Sequence, residues 1–319
     1  MQKATLDESK IRILDKLKRE LGTDILNALN DPTVIEIMLN SDGYLWIEKI
    51  GEPMQKITLF KESNARALMY TIASFHEKTI TPENPILECE FPIDDSRFEG
   101  LISPVVKHAS FTIRKKALSI FTLDNYFEKK IITNEQINVI NQAIKLRKNI
   151  LIVGGTGSGK TTLTNAIIDR MVCITPEHRI IIIEDTAEIQ CKAENAVILK
   201  STINVSMLQL LKATMRLRPD RILVGEVRGG EALDLLKAWN TGHPGGIATV
   251  HANSATGGLI RMQQLISEVT QAPMFELISE AVNMVIYIEK TSTGRVVKEI
   301  LEVQGYDTIN KKYIIKNIT

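Results

Sequence analysis

Residues 150–162, ILIVGGTGSGKTT, restrict the fold more than any other stretch of the chain. Four apolar residues run into a glycine-rich turn that fits G-x-x-x-x-G-K-[ST] at Gly154, Gly159, Lys160 and Thr161. An apolar strand, a glycine turn and a following helix form a single supersecondary unit, and that context separates the motif from a stray glycine loop. Four fixed positions arise by chance in roughly one chain in a hundred of this length, before the flanks are considered. The expected ligand is a nucleoside triphosphate. Glycines let backbone N–H groups turn inward around phosphate oxygens, and the helix N-terminus adds a favourable dipole. Gly155, Thr156, Gly157, Ser158, Gly159, Lys160, Thr161 and Thr162 are the expected cradle, with Lys160 reaching the β- and γ-phosphates and Thr161 offering its hydroxyl to Mg²⁺.

The stretches RIIIIEDTAEIQ, NVSMLQLLKATMRLRPDRILVGEVRGGEALDLLKAWNTG and GGIATVHANS continue an alternation of strand and helix. Their strands are nearly continuous apolar runs, as expected where both faces of a parallel sheet are covered. The first third of the chain differs. Ile13, Leu14, Leu17 and Leu21 recur at helical spacing, with Asp7 or Ser9 as a candidate cap, and VIEIMLNSDGYLWIEKIG predicts two strands around a turn. ESNARALMYTIASFHEKT predicts a second helix, and ILECEFPI, FEGLISPVV and SFTIRKK predict short strands. The expectation is a small α+β domain over residues 1–116, a linker over 117–130 and an α/β domain over 131–319.

Two of the apolar runs end in carboxylates: Glu184, Asp185 and Glu188 after the first, Glu226 and Glu231 after the second. Ligands of an open parallel sheet sit at the C-terminal ends of its strands, which directs both groups toward the phosphate loop. Thr161, Glu184, Asp185 and Glu226 are candidate metal-binding groups, and Glu226 and Glu188 are candidate catalytic carboxylates. Which of the four acids orients water is left open. GHPGGIATVHANSATGG holds His243 and His251 in a segment with little core-forming material, so a ligand contact competes there with an ordinary loop.

The net charge of +1 and the absence of aromatic-basic clusters argue against a nucleic-acid-binding surface. Cys89, Cys173 and Cys191 are odd in number and form no CxxC pair, which fits a reducing compartment. The start alternates charge with Ile and Leu, unlike a signal peptide, and no window approaches the roughly 20 apolar residues of a membrane span. A cytoplasmic protein with only peripheral membrane association is expected.

Four blocks, GGTGSGKTT, IIIIEDTAEIQ, MRLRPDRILVGEVRGGEA and TGHPGGIATVHANSA, resemble in order and spacing the Walker A, Asp-box, Walker B and His-box segments of the bacterial secretion ATPase superfamily. FPIDDSRFEGLISPVVKHASFTIRKK is similar to the N-terminal signature of its type IV secretion and conjugation branch. The resemblance runs from about Val34 to Ile288. It implies a homohexameric ring of two-domain subunits, with ATP and Mg²⁺ held between the N-terminal domain and a RecA-like P-loop domain. The implied activity is ATP hydrolysis that drives pilus assembly or DNA and protein export, beside other ATPases and inner-membrane components of a secretion machine. It further implies that His251 contacts the γ-phosphate, that His243 is the first His-box histidine, and that Arg97 and Arg114 approach the γ-phosphate. Arg218 and Arg228 are left as subunit-contact or metal-shell candidates. Pilus-retraction motors share the four blocks. Type II secretion motors carry a CxxC element that this chain lacks.

Overall fold

Alternate residues are buried in three of the N-terminal strands (Leu45 and Ile47, Phe98 and Gly100, Phe111 and Ile113), and that alternation gives the first unit's sheet one core-facing side. The computed structural model describes residues 8–49, 52–116, 120–202, 204–292 and 294–318. It divides into two units, Met1–Leu118 and Ser119–Thr319. The first contains α1 (Glu8–Asn30), β1 (Val34–Leu39), β2 (Tyr44–Lys49), β3 (Gln55–Leu59), α2 (Glu62–Phe75), β4 (Ile86–Glu90), β5 (Arg97–Leu101) and β6 (Ser110–Arg114). The strands form an antiparallel sheet in the order β3-β2-β1-β6-β5-β4. Phe98, Phe111 and Ile113 alternate into a core shared with Leu17, Leu21, Ile25, Leu68 and Ile72 of the helices, so the sheet's other face carries the polar residues. The expected first helix is interrupted at Gly22, whose φ of 69° and ψ of 174° leave helical geometry. Asp7 and the Ser9 side chain, its candidate caps, lie outside the described residues. Strand β3, with no clear apolar alternation, escaped the sequence pattern.

The second unit contains α3 (Leu123–Glu128), α4 (Asn134–Lys145), β7 (Ile150–Val153), α5 (Lys160–Ile174), β8 (Ile180–Glu184), β9 (Ala196–Lys200), α6 (Met207–Thr214), β10 (Arg221–Val224), α7 (Glu231–Asn240), β11 (Ile247–Val250), α8 (Ala255–Ile266), α9 (Phe275–Ala281), β12 (Met284–Thr291), β13 (Gly294–Asp307) and β14 (Lys312–Asn317). Its sheet runs β14-β13-β12-β7-β11-β10-β8-β9. All pairs from β12 to β9 are parallel, and β12-β13 and β13-β14 are antiparallel. Ile150 and Ile152 of β7 pack toward α3, α4 and α5, while Leu151 and Val153 pack toward α7, α8 and α9. Both sheet faces are therefore dry, which accounts for the unbroken apolar runs. Part of the stretch expected as a linker is folded. Thr122 caps α3 through Asn125, and Leu123 and Tyr126 are buried in the second unit's core.

The entry to β11 explains the paired glycines of GHPGGIATVH. Asn149 Oδ1 accepts the N–H groups of Gly245 and Gly246 at 2.7 and 3.0 Å. The fully buried Arg221 donates to Gly245 O at 2.9 Å. A Cβ on Gly246 would overlap Trp239 Nε1 and the Ile222 carbonyl, which are joined by a 3.2 Å hydrogen bond. Gly246→Ala is accordingly expected to destabilise this unit by about 1–3 kcal/mol through overpacking. Thermal melting would check it, and an unchanged midpoint would refute the close-approach account.

Candidate functional site

The phosphate loop leaves β7 at Gly154 and enters α5 at Lys160, with Gly157 and Gly159 in left-handed conformation at φ 70° and 94°. A Cβ at Gly154 would overlap the Ile288 carbonyl and Ser158 Oγ, so the first glycine is required by close approach. Gly159 caps α5 without a side-chain bond. The first N–H groups of the helix, including those of Thr161 and Thr162, have no intrahelical acceptors and are suited to an anion. Lys160 is almost fully buried. Its Nζ donates to Gly154 O at 2.9 Å, to Gly155 O at 3.0 Å and to His251 Nδ1 at 3.1 Å.

The parallel register brings the strand ends together, as the sequence pattern predicts. β10 ends beside β8 and β11, and Gly225 N donates to Ile183 O at 2.9 Å. Glu226 follows with both oxygens engaged: Oε2 accepts Arg228 Nη2 at 3.0 Å and Oε1 lies 3.1 Å from His251 Nε2. An ammonium only donates, so Nδ1 of His251 accepts from Lys160, leaving Nε2–H to donate to Glu226. Burial pushes the Glu226 carboxyl up, but the hydrogen bond and charge of Arg228, with the fields of His251 and Lys160, outweigh it and hold the group below its ordinary range. The hydrogen bond to Glu226 raises the Arg228 guanidinium. Arg228 Nη1 also donates to Asp185 Oδ2 at 2.5 Å, which joins the ends of β8 and β10.

Glu188 belongs to a second branch. Thr161 Oγ1 donates to Glu188 Oε2 at 3.1 Å, and Asn165 of α5 holds the adjacent backbone by donating to Glu188 O and accepting Gln190 N–H. Glu184, a candidate metal ligand, serves the backbone of this turn through one oxygen. It is buried, and its Oε1 accepts the N–H groups of Glu188 and Ile189 at 2.9 and 2.7 Å, so it braces the turn that presents Glu188. Among the described residues no three His, Cys, Asp or Glu side chains close on one point. Mg²⁺ usually keeps several waters and takes phosphate oxygens, so the Thr161 hydroxyl and a neighbouring carboxylate suit it as the protein's share.

His243 is not brought to this loop. It precedes β11, next to Gly245, whose N–H is held by Asn149 at the N-terminal end of β7. His251 follows β11, at the other end. The four residues of β11 span on the order of 13 Å. Arg218 is exposed and precedes β10, so it too lies at the end of the sheet away from the loop.

In the N-terminal unit Arg97 and Arg114 are direct partners across β5 and β6. Arg97 pairs with Glu88 at 3.3 Å, and Arg114 faces Glu36 of β1. Like charges placed opposite one another on adjacent strands repel.

Asn165 and Arg295 were not identified from the sequence. Arg295, in β13, donates through Nη2 to Gly157 O at 3.3 Å. Neither residue lies in a recognisable motif, and no local periodicity connects β13 with the phosphate loop.

A family model described as Type II/IV secretion system protein matches residues 20–299. The chain is 48% identical over 306 residues to a probable conjugal transfer protein TrbB of Sinorhizobium fredii, covering 96% of this chain and 94% of that protein. It is 31% identical over 304 residues to the type IV secretion system protein VirB11 of Bartonella henselae, covering 82% and 83%. Among solved structures, the VirB11 ATPase from the Brucella suis type IV secretion system, in complex with sulphate, matches with a TM-score of 0.50 at 25% identity, covering 92% of this chain and 96% of that one.

Proposed function

The chain belongs to the type II/IV secretion system protein family, and on that premise we propose that it is a magnesium-dependent ATPase powering conjugative type IV secretion, in pilus assembly or in export of DNA and protein. It would act as a homohexamer at the inner face of the inner membrane, beside the other ATPases and the membrane components of the machine. The extended likeness to a conjugal transfer protein supports the pathway. Among the described residues no helix is long and apolar enough to cross a membrane, which is compatible with peripheral attachment through partners.

The observation that carries the ATPase assignment is the linked set Lys160–His251–Glu226–Arg228 beside a loop of phosphate-binding form. ATP would lie with its β- and γ-phosphates in the cradle of residues 155–162. Bound Mg²⁺ supplies positive charge at the phosphate oxygens, and Thr161 with Glu188 would hold it. Glu226 has its orientation fixed through both oxygens and is assigned to the attacking water. His251 bridges Lys160 and Glu226, so a change at the γ-phosphate would redistribute hydrogen bonds between the loop and the carboxylate. Lys160 neutralises charge from within the cradle. Arg97 and Arg114 would approach the γ-phosphate, an acceptor-rich anion able to form charge-assisted bonds with both guanidinium groups. Loss of the γ-phosphate would then release the N-terminal unit, and that motion would drive transport.

The test is phosphate release from ATP by the purified protein, with Mg²⁺ and with excess chelator. Turnover is expected only with the metal. Arg97→Ala and Arg114→Ala are each expected to lower kcat by about 10²–10³, the effect of removing one donor from a developing charge. Full activity in both variants would remove the arginines from the mechanism. Absence of metal-dependent turnover by wild type would remove the ATPase assignment.

A further inference from the structure

Arg295 stands at the start of β13, opposite Lys290 of β12, far in sequence from the loop it touches. Its Nη2 donates to Gly157 O at 3.3 Å. A Cβ built on Gly159 would stand 3.0 Å from Arg295 Cδ and 3.2 Å from its Nε, so the side chain lies directly against the last glycine before α5. Nε is buried and makes no hydrogen bond. The guanidinium is thus committed to the loop's flank through one donor and through packing.

The geometry of the peptide unit gives this contact a consequence. In a trans peptide, the C=O of one residue and the N–H of the next point in opposite directions within one plane. Fixing Gly157 O toward Arg295 therefore turns Ser158 N–H the other way, where it makes a long 3.3 Å bond to Gly155 O across the turn. That long bond is easily exchanged for a phosphate oxygen. Gly157, in left-handed conformation, supplies one of the two torsions that orient this peptide, and Arg295 adds a hold on it from outside the loop.

We propose that Arg295 is a positioning residue for nucleotide binding: through the Gly157–Ser158 peptide it holds the loop with its N–H groups directed at the di- or triphosphate tail. The inference rests on the nucleotide reading above and deepens it. Arg295 acts before chemistry, so it governs affinity rather than the bond-breaking step. Arg295→Gln retains bulk and loses the charge-assisted donor. Its expected effect is about a tenfold rise in the Kd for ADP and in the KM for ATP, the weight of one such bond. Turnover at saturating ATP should change by less than about threefold, as expected when ground state and transition state lose the same interaction. Arg295→Lys keeps a cationic donor and should recover most of the affinity.

The experiment is titration with ADP and steady-state kinetics on wild type, Arg295→Gln, Arg295→Lys and Lys160→Ala, with melting curves without and with ADP. A positioning role lowers the ADP-induced rise in melting temperature and leaves the nucleotide-free midpoint within a few degrees. Equal affinity of wild type and Arg295→Gln, or a loss confined to kcat, would overturn the inference while leaving the nucleotide site intact. A lowered nucleotide-free midpoint with unchanged KM would make the residue purely structural and would also overturn it. Should wild type bind ADP no more tightly than Lys160→Ala does, both the inference and the reading beneath it fall.

Discussion

Lys160→Ala is expected to abolish measurable ATP turnover, with a fall in kcat of about 10³ or more. The ammonium is almost wholly buried and is held between two carbonyls of its own loop and a ring nitrogen of His251. None of those three partners is anionic. The field of Lys160 also reaches the Glu226 carboxylate, and a phosphate oxygen would add a further anionic acceptor for its charge. A cationic group at the transferring phosphoryl is worth about 10³–10⁵ in rate in related chemistry. Alanine also removes the donor that closes the loop on Gly154 O and Gly155 O, so weaker ADP binding should accompany the loss. Phosphate release and ADP titration measure the two effects separately, and a melting curve guards against misfolding. Turnover at the wild-type rate would end the assignment of this loop as the catalytic cradle.

The legible parts of the site are those in which sequence neighbours are also spatial neighbours. The turn at Gly154–Thr161 and the carboxylate ends of β8 and β10 follow from short apolar runs and the direction of a parallel sheet. His251 is placed by the same rule, one residue past the end of β11. That rule also shows why His243 is separate: it stands before the strand, at the opposite end of the sheet. The eight-residue spacing alone does not reveal a strand between them. Glu184 was harder to read, because a strand-end carboxylate looks the same in sequence whether it faces a metal or accepts N–H groups from its own turn.

The fold shows the same division. β12 has an apolar run like that of β7 and lies next to it, although the strands expected from the sequence end with β11. β13 and β14 are antiparallel and partly exposed, and their place at the sheet edge depends on pairing that local composition does not encode. Arg295 therefore reaches the phosphate loop through tertiary pairing alone. Arg228 lies between these extremes. Its position two residues past Glu226 is plain in the sequence, whereas its second bond, to Asp185, requires the register of β10 against β8.

Glu226→Gln is expected to separate binding from hydrolysis: nucleotide affinity within about threefold of wild type, and kcat lower by about 10²–10³ or more. The substitution preserves shape. Arg228 keeps its bond to Asp185, and its backbone N–H keeps the Glu231 carboxylate, so the joint between β8 and β10 should survive. What disappears is a negative charge that Arg228, His251 and Lys160 hold in its ionised form against the effect of burial. A group kept ionised in this way is ready to orient water and accept its proton as the phosphoryl group departs. Glu188→Gln provides the contrast. Its carboxylate accepts the Thr161 hydroxyl, so its loss should raise the Mg²⁺ concentration needed for half-maximal turnover, whereas Glu226→Gln should leave that midpoint where it was. Magnesium titrations of both variants, with ADP binding measured alongside, distinguish the two roles. If Glu226→Gln moves the magnesium midpoint and Glu188→Gln lowers only kcat, the assignments must be exchanged. If Glu226→Gln turns over ATP as wild type does, the carboxylate at the end of β10 is not the group that prepares the water.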